Sequence, residues 1–223
     1  MNLKLFFQAI FKFLLGILLV GVLIFIPAGT LNYFNGYLLM GVLFVPMFIA
    51  GIIMMIKNPK LLEKRLNAKE KQKEQSIVIK LSALMFIAGF VLAGLDFRFG
   101  WIKLPSFIPY VASVLLLLSY IMWAEVLREN AYLSRTITVS EGQQVVKTGL
   151  YGIVRHPMYT ATVILFLSMP LVLGSLISFF VFLIYPVLIV VRIVNEEKFL
   201  EKELAGYIEY KKEVKYRLIP FIW

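Results

Sequence analysis

The feature that most constrains the fold of this chain is a series of apolar runs about as long as a bilayer is thick. A transmembrane helix needs about 20 predominantly apolar residues. Runs of this kind cover residues 13–33, 37–56, 81–95, 107–127, 159–173 and 176–191. We therefore predict an all-α, polytopic membrane protein with about six transmembrane helices and a C-terminal cytoplasmic helix.

Composition excludes a soluble globular fold. Of the 223 residues, 61% are hydrophobic and 16% are charged, whereas soluble domains average roughly 45–50% and about 25%. The mean hydropathy is +0.86. A chain of this size cannot bury that much apolar surface within itself, so lipid has to cover the remainder.

Polar segments divide the apolar runs and suggest two regions. Short turns are predicted at residues 32–36 and at Gly174-Ser175, and a basic segment covers 57–80. That segment fits either a helix on the membrane surface or a solvated loop. We predict four spans with this basic segment in residues 1–128, and a functional region in 129–223 that contains a polar loop, a helical hairpin and a tail that is helical to about Val214.

The distribution of basic residues predicts the topology. All but two of the 23 Lys and Arg residues lie in the N-terminal segment, the basic segment, residues 128–158 or the tail; the exceptions are Arg98 and Lys103. Cytoplasmic segments of membrane proteins are enriched in Lys and Arg. Both termini and both long polar segments are therefore predicted to be cytoplasmic, in the inner membrane if the chain is bacterial.

Several classes of site are not expected. The chain has no cysteine and a single histidine, His156, whereas protein zinc sites usually draw on several Cys or His ligands. The net charge of +10 resides in residues that flank apolar runs, which is typical of contact with anionic lipid head groups. We therefore predict membrane lipids as partners, with no nucleic acid and no metal.

Two polar segments are not explained by contact with lipid. They are residues 149–159 and 192–197, at the cytoplasmic ends of the last two runs, and a tight hairpin would bring them together. Arg192 lies four residues before Glu196, so both share one helical face. With His156 they would form a pocket that suits a zwitterionic or doubly charged ligand.

Simpler interpretations exist for each residue taken alone. The arginines could be interfacial anchors, and the adjacent carboxylates could be charges that stabilise a helix terminus. A transporter would place ionisable residues near the middle of the bilayer, where these runs contain almost none. The joint occurrence of these polar residues at one predicted place favours a binding site over a transporter or a non-catalytic scaffold.

The same residues carry a family resemblance. Gly149-Leu150-Tyr151, Arg155-His156-Pro157-Met158-Tyr159, Glu196-Glu197 and Tyr207-Ile208-Glu209-Tyr210-Lys211-Lys212 resemble the isoprenylcysteine carboxyl methyltransferase family. This family is related to membrane phospholipid methyltransferases. The resemblance implies S-adenosylmethionine as cofactor and a lipid-like acceptor that reaches the site from the bilayer.

The resemblance also implies roles for individual residues. Arg192 would bind the acceptor carboxylate, and Arg192 and Glu196 would be catalytic, with Glu196 near the amino group of the cofactor. The implied cofactor contacts are Gln143, Gln144, Val145, Val146, Tyr151, His156, Pro157, Met158, Tyr159, Glu196 and Glu197.

The acceptor group remains open between two chemistries. Displacement at a sulfonium by a carboxylate needs alignment and exclusion of water more than a base. Methylation of a phospholipid amine would need a base, for which Glu196, Glu197 or His156 are candidates. Arg192 favours the carboxylate, so we expect an isoprenylcysteine-type O-methylation.

Overall fold

A computed structural model describes residues 3–66, 73–130, 132–133, 138–139 and 141–223. Over these residues the chain is helical and contains no strand. The helices are α1 (Leu3–Ala28), α2 (Phe34–Lys57), α3 (Pro59–Leu66), α4 (Lys73–Phe99), α5 (Ile108–Glu129), α6 (Pro157–Val172), α7 (Leu176–Phe182), α8 (Ile184–Glu203) and α9 (Tyr207–Glu213), with a 3-10 turn at Gly149–Gly152. The predicted all-α, polytopic membrane fold is confirmed.

Five stretches among the described residues are long and apolar enough to cross a membrane, where the sequence predicted six spans. They are Leu3–Ala28, Phe34–Lys57, Gln75–Phe99, Ile108–Glu129 and Leu176–Glu203. The predicted fifth span corresponds to α6, which has 16 residues. At about 1.5 Å per residue such a helix is roughly 24 Å long, shorter than a hydrocarbon core of about 30 Å.

Helix boundaries in the first half differ from the prediction. The first break falls at residues 29–33, about three residues before the predicted turn, because Gly29 ends α1 with a φ of 69°. The predicted basic segment 57–80 contains α3 and the beginning of α4; its residues 67–72 lie outside the described part of the chain. Leu61 and Leu62 of α3 are buried, so α3 packs on the protein.

The tail is helical to about Val214, as predicted, but as two helices. The break lies between Glu203, the last residue of α8, and Tyr207, the first of α9. Gly206 occupies the N-cap of α9 with a φ of 82°, a left-handed conformation that glycine adopts without a Cβ penalty. The break turns α9 back over the end of α8.

One apolar core joins the two regions that the sequence suggested. It contains residues of every spanning helix, among them Ile24 of α1, Leu39 of α2, Leu116 of α5 and Ile193 of α8. α5 packs along α6, and α4 packs against α1, α7 and α8. The helices of the first half therefore form walls around the second half.

The end of the bundle that carries the Gly174 turn is held by hydrogen bonds between helices; we call it the closed end. The Tyr33 hydroxyl donates to the carbonyl of Leu173 at 2.6 Å. The Ser175 hydroxyl donates to Asp96 Oδ2 at 2.6 Å, and the backbone N–H of Ile102 donates to Asp96 Oδ1 at 3.1 Å. Asp96, the single aspartate, is thereby satisfied at the end of α4.

Candidate functional site

A cavity of about 470 Å³ lies at the opposite end of the bundle, where the spanning helices meet the tail. Pockets for small molecules and cofactors typically measure about 300–1,000 Å³. Its walls come from α3, α4, the segment between α5 and α6, the start of α6, α8 and α9. The polar and charged side chains in the wall include Arg65, Asn130, Gln143, Gln144, Tyr151, Arg155, His156, Tyr159, Arg192, Glu196 and Tyr207.

Glu197 is the centre of a buried ionic cluster behind this cavity. Its Oε1 accepts from Arg155 Nε at 2.7 Å and lies 3.2 Å from His156 Nε2. Its Oε2 accepts from Arg217 Nε at 2.9 Å. A buried carboxylate is tolerated only when paired and hydrogen-bonded, and here it ties α8 to residues 155–156 and to the tail.

The tail reinforces the same cluster through backbone contacts. Arg155 Nη1 donates to the carbonyls of Val214 and Lys215, each at 2.7 Å. The backbone N–H groups of Arg155 and His156 donate to the carbonyls of Tyr216 and Arg217 at 2.8 and 3.0 Å. The segment before α6 is therefore fixed on both sides, which orients the side chains that face the cavity.

Glu196, the neighbouring carboxylate, faces the cavity and belongs to a different group. The Tyr159 hydroxyl donates to Glu196 Oε2 and accepts from Arg192 Nε at 2.8 Å. The Arg192 guanidinium also lies over the Tyr159 ring, 5.8 Å from its centroid. Because all three residues line the cavity, the wall presents a cation and a carboxylate that are held by one tyrosine.

The local sequence accounts for the position of Tyr159. His156 is the N-cap of α6 and Pro157 follows at the first helical position, where proline's fixed φ and missing N–H are accommodated. Tyr159 then lies in the first turn and meets α8 across the hairpin. The predicted proximity of residues 149–159 and 192–197 is present in the structure.

Most of the site residues expected from the sequence meet in this cavity. Those that line it are Gln143, Gln144, Val145, Val146, Tyr151, His156, Met158, Tyr159, Arg192 and Glu196. Pro157 and Glu197 are not part of its wall. Pro157 is buried at the start of α6, and Glu197 is turned toward Arg155 and Arg217, because adjacent residues of a helix point in different directions.

The sequence did not indicate the contribution of the first half to the site. Val78, Ser82 and Phe86 of α4 and Arg65 of α3 line the cavity. The three α4 residues follow the spacing of four that marks one helical face. The boundary predicted at residue 80 divides them, with Val78 in the basic segment and the other two in the next apolar run. Arg65 stacks over Trp123 at 5.1 Å from the ring centroid and belongs to the segment predicted only as basic.

A second, wholly apolar pocket of about 320 Å³ has exposed residues such as Leu19 and Ile87 in its lining. It is lined by α1, α2, α4 and α6. Two residues, Ala83 and Phe86 of α4, line both this pocket and the polar cavity. The two spaces are therefore neighbours across one turn of α4, and together they match a ligand with a polar head and an apolar chain.

Two comparisons with known proteins match part of this chain. Residues 111–202 match the model of the Isoprenylcysteine carboxyl methyltransferase (ICMT) family, which confirms the resemblance. A segment of 91 residues is 36% identical to Delta(14)-sterol reductase TM7SF2 of Mus musculus, which corresponds to 40% of this chain and 22% of the reductase. The chain thus matches about a fifth of the length of that relative.

Proposed function

We propose that this chain, whose residues 111–202 belong to the isoprenylcysteine carboxyl methyltransferase family, is an S-adenosylmethionine-dependent methyltransferase of the membrane that acts on a lipid-like carboxylate. The observation that carries the proposal is the single cavity that joins residues 143–146, Tyr151, His156, Tyr159, Arg192 and Glu196. The site faces the cytoplasm in this proposal, because basic segments surround it.

The residues present suit the proposed cofactor. The volume is sufficient, and the wall combines apolar groups such as Val145 and Met158 with polar ones. The Tyr207 hydroxyl is buried in this wall without a hydrogen-bond partner among the described residues, as expected where a ligand completes the surface. Residues 143–146, Tyr151 and Tyr159 would hold the cofactor, with Glu196 near its amino group.

When bound, S-adenosylmethionine supplies a methyl group on a positively charged sulfur, and its transfer to a carboxylate oxygen gives a methyl ester and a neutral thioether. The side chains of this protein then have to align the two partners and exclude water. Arg192 binds and orients the acceptor carboxylate. Tyr159 fixes Arg192 and Glu196 relative to each other through its two hydrogen bonds.

The acceptor is proposed to be an amphiphile. The apolar pocket, adjoining the cavity at Ala83 and Phe86, would take its hydrocarbon chain while the carboxylate reaches Arg192. Because lipid already shields such a chain from water, the pocket would orient the acceptor rather than add hydrophobic stabilisation. An acceptor held in this way would reach the site from the bilayer.

Methylation of a phospholipid amine is the main alternative within this family. This reaction needs a base that accepts a proton from the amine. The contacts of the three candidate bases, Glu196, Glu197 and His156, differ. Glu197 is engaged with Arg155 and Arg217 at 2.7 and 2.9 Å, and His156 lies against the same carboxylate. Glu196 is the carboxylate that lines the cavity, so it would have to accept the proton.

The similarity to a sterol reductase favours a second candidate from another reaction class. In that case the same cavity would bind a hydride donor, and the apolar pocket would bind a sterol. The similarity covers 22% of the reductase. The family match, residues 111–202, does not include α1 and α2, which contribute to the apolar pocket. A sterol substrate would be reduced without any methyl transfer.

The test is a transfer assay with protein in lipid bilayers that contain a lipid extract and radiolabelled S-adenosylmethionine. We expect label in the lipid fraction that mild alkali releases as methanol, because esters are labile to base. Label that resists alkali would instead indicate an amine acceptor. Absence of label would contradict methyl transfer.

A matched pair of tyrosine variants links this assay to the cavity. Tyr159→Phe removes the hydroxyl that holds Arg192 and Glu196, and we expect at least a tenfold loss of transfer, equivalent to about 1.4 kcal/mol. Tyr110→Phe changes an exposed tyrosine on α5 and should leave transfer unchanged. Equal activity of both variants would contradict the role assigned to Tyr159.

A further inference from the structure

Among the described residues, the Tyr207 hydroxyl is a buried polar group of the cavity wall whose hydrogen bonding is incomplete. Tyr207 is 4% exposed, lines the cavity and has no hydrogen-bond partner among the described residues. Other tyrosine hydroxyls in the same wall have partners there: those of Tyr151, Tyr159, Tyr185 and Tyr210. Tyr207 lies in a segment that carries the family resemblance but outside the matched residues 111–202, and the resemblance implied no role for it.

Packing accounts for an aromatic ring at position 207 but not for the hydroxyl group that this ring carries. The ring belongs to a small apolar cluster with Leu204, Tyr210 and Val214, which seats α9 on the protein. A phenylalanine would pack in the same way. Because a buried, unsatisfied hydroxyl destabilises the folded state, its presence beside a cavity indicates a bond that forms when the cavity is filled.

The charges around Tyr207 indicate which kind of ligand group its hydroxyl would bind. Burial raises the pKa of the Tyr207 hydroxyl well above its usual range, and the charges of Glu197 and Glu196 raise it further. The hydroxyl therefore stays neutral, and its oxygen can accept a hydrogen bond. Glu196 lines the cavity and favours a cation beside the hydroxyl. Glu197 does so less, because Arg155 and Arg217 pair with it.

We propose that the Tyr207 hydroxyl, together with Glu196, binds the ammonium group of the amino-acid portion of the bound cofactor. The hydroxyl accepts one N–H of the ammonium and the Glu196 carboxylate compensates its charge. This assignment rests on the proposed function, since it takes S-adenosylmethionine as the ligand. It places the amino-acid portion at α9 and makes the tail part of the binding site.

Two ligands and two variants separate this role from a structural one. S-adenosylhomocysteine carries the amino-acid portion, whereas 5′-methylthioadenosine has the same thioether and nucleoside without it. Binding of both to the purified full-length protein is measured by calorimetry, alongside thermal unfolding. The variants are Tyr207→Phe and, as control, Tyr210→Phe, which removes a hydroxyl that donates to the Tyr151 carbonyl at 2.7 Å.

We expect Tyr207→Phe to weaken S-adenosylhomocysteine about tenfold and to leave 5′-methylthioadenosine unchanged. Its unfolding temperature should equal or exceed that of the wild type, because no hydrogen bond is lost. Tyr210→Phe should show the opposite pattern, with a lower unfolding temperature.

Two results would overturn the assignment. Unchanged affinity of Tyr207→Phe for S-adenosylhomocysteine would remove Tyr207 from the site, and equal weakening of both ligands would place the hydroxyl at the nucleoside. Failure of the wild-type protein to bind either ligand is a different result, because it would contradict the proposed function itself.

Discussion

The two ends of the helical bundle use polar residues in different ways. At the closed end, Tyr33, Asp96 and Ser175 satisfy one another or nearby backbone groups, with distances of 2.6 Å for the Tyr33 and Ser175 bonds. At the cavity end, Glu197 is satisfied in the same way, but Glu196 and Tyr207 face an open space. Polar groups that complete each other hold helices together, whereas polar groups that face a cavity are available to a ligand.

Two carboxylates that are adjacent in the chain show the same difference between supporting and ligand-facing groups. Glu197 belongs to the supporting structure and Glu196 to the surface of the site. The comparison predicts that variants of supporting residues change stability at either end of the bundle, and that variants of residues facing the cavity change binding or turnover.

The largest expected effect is that of Glu197→Ala. The substitution leaves Arg155, which is 6% exposed, without its carboxylate partner, and removal of one member of a buried ion pair typically costs about 3–5 kcal/mol. We expect a marked fall in the unfolding temperature in detergent. Glu209→Ala, at an exposed position of α9, is the control, and equal stability of the two variants would contradict the supporting role of Glu197.

Next in size is the expected effect of Arg192→Lys. A lysine keeps the charge but loses the planar set of donors that binds a carboxylate in a bidentate manner. We expect the KM for the acceptor to rise about 10–100-fold, which corresponds to roughly 1.4–2.8 kcal/mol, with little change in cofactor affinity. A variant whose cofactor affinity falls while its acceptor KM stays constant would show that Arg192 does not bind the acceptor.

At the closed end, Ser175→Ala should have a smaller effect, on stability alone. Ser175 caps α7 by accepting from the N–H of Ser178 at 3.2 Å and also donates to Asp96. Loss of a serine N-cap costs about 0.5–2 kcal/mol. Unfolding experiments should show this loss, and cofactor affinity should not change. A lower affinity in this variant would mean that the two ends of the bundle are coupled.

The sequence predicts the membrane fold well because a bilayer imposes a simple rule on helix length and composition. The sequence did not predict the break before α9. The break depends on the left-handed backbone conformation of Gly206, and a single glycine within a charged tail does not by itself indicate that a helix ends there. The shortness of α6 was already visible in the sequence, since its apolar run covers residues 159–173, fewer than the about 20 residues that a span needs.

The site was predictable where polar residues cluster in the sequence, as in residues 149–159 and 192–197. The part formed by α4 was not, because Phe86 looks like any other residue of an apolar run and Val78 falls in the segment predicted only as basic. The separation of Glu196 from Glu197 also required the structure, since only the positions of Arg155 and Arg217 show which carboxylate is engaged.

The most direct test of the central claim is calorimetric binding of S-adenosylmethionine to the wild-type protein and to Glu196→Gln, with Glu209→Gln as the control. The account predicts binding by the wild type and the control, and a loss of about tenfold or more for Glu196→Gln with an unchanged unfolding temperature. No binding by the wild type, or equal binding by all three proteins, would contradict the account.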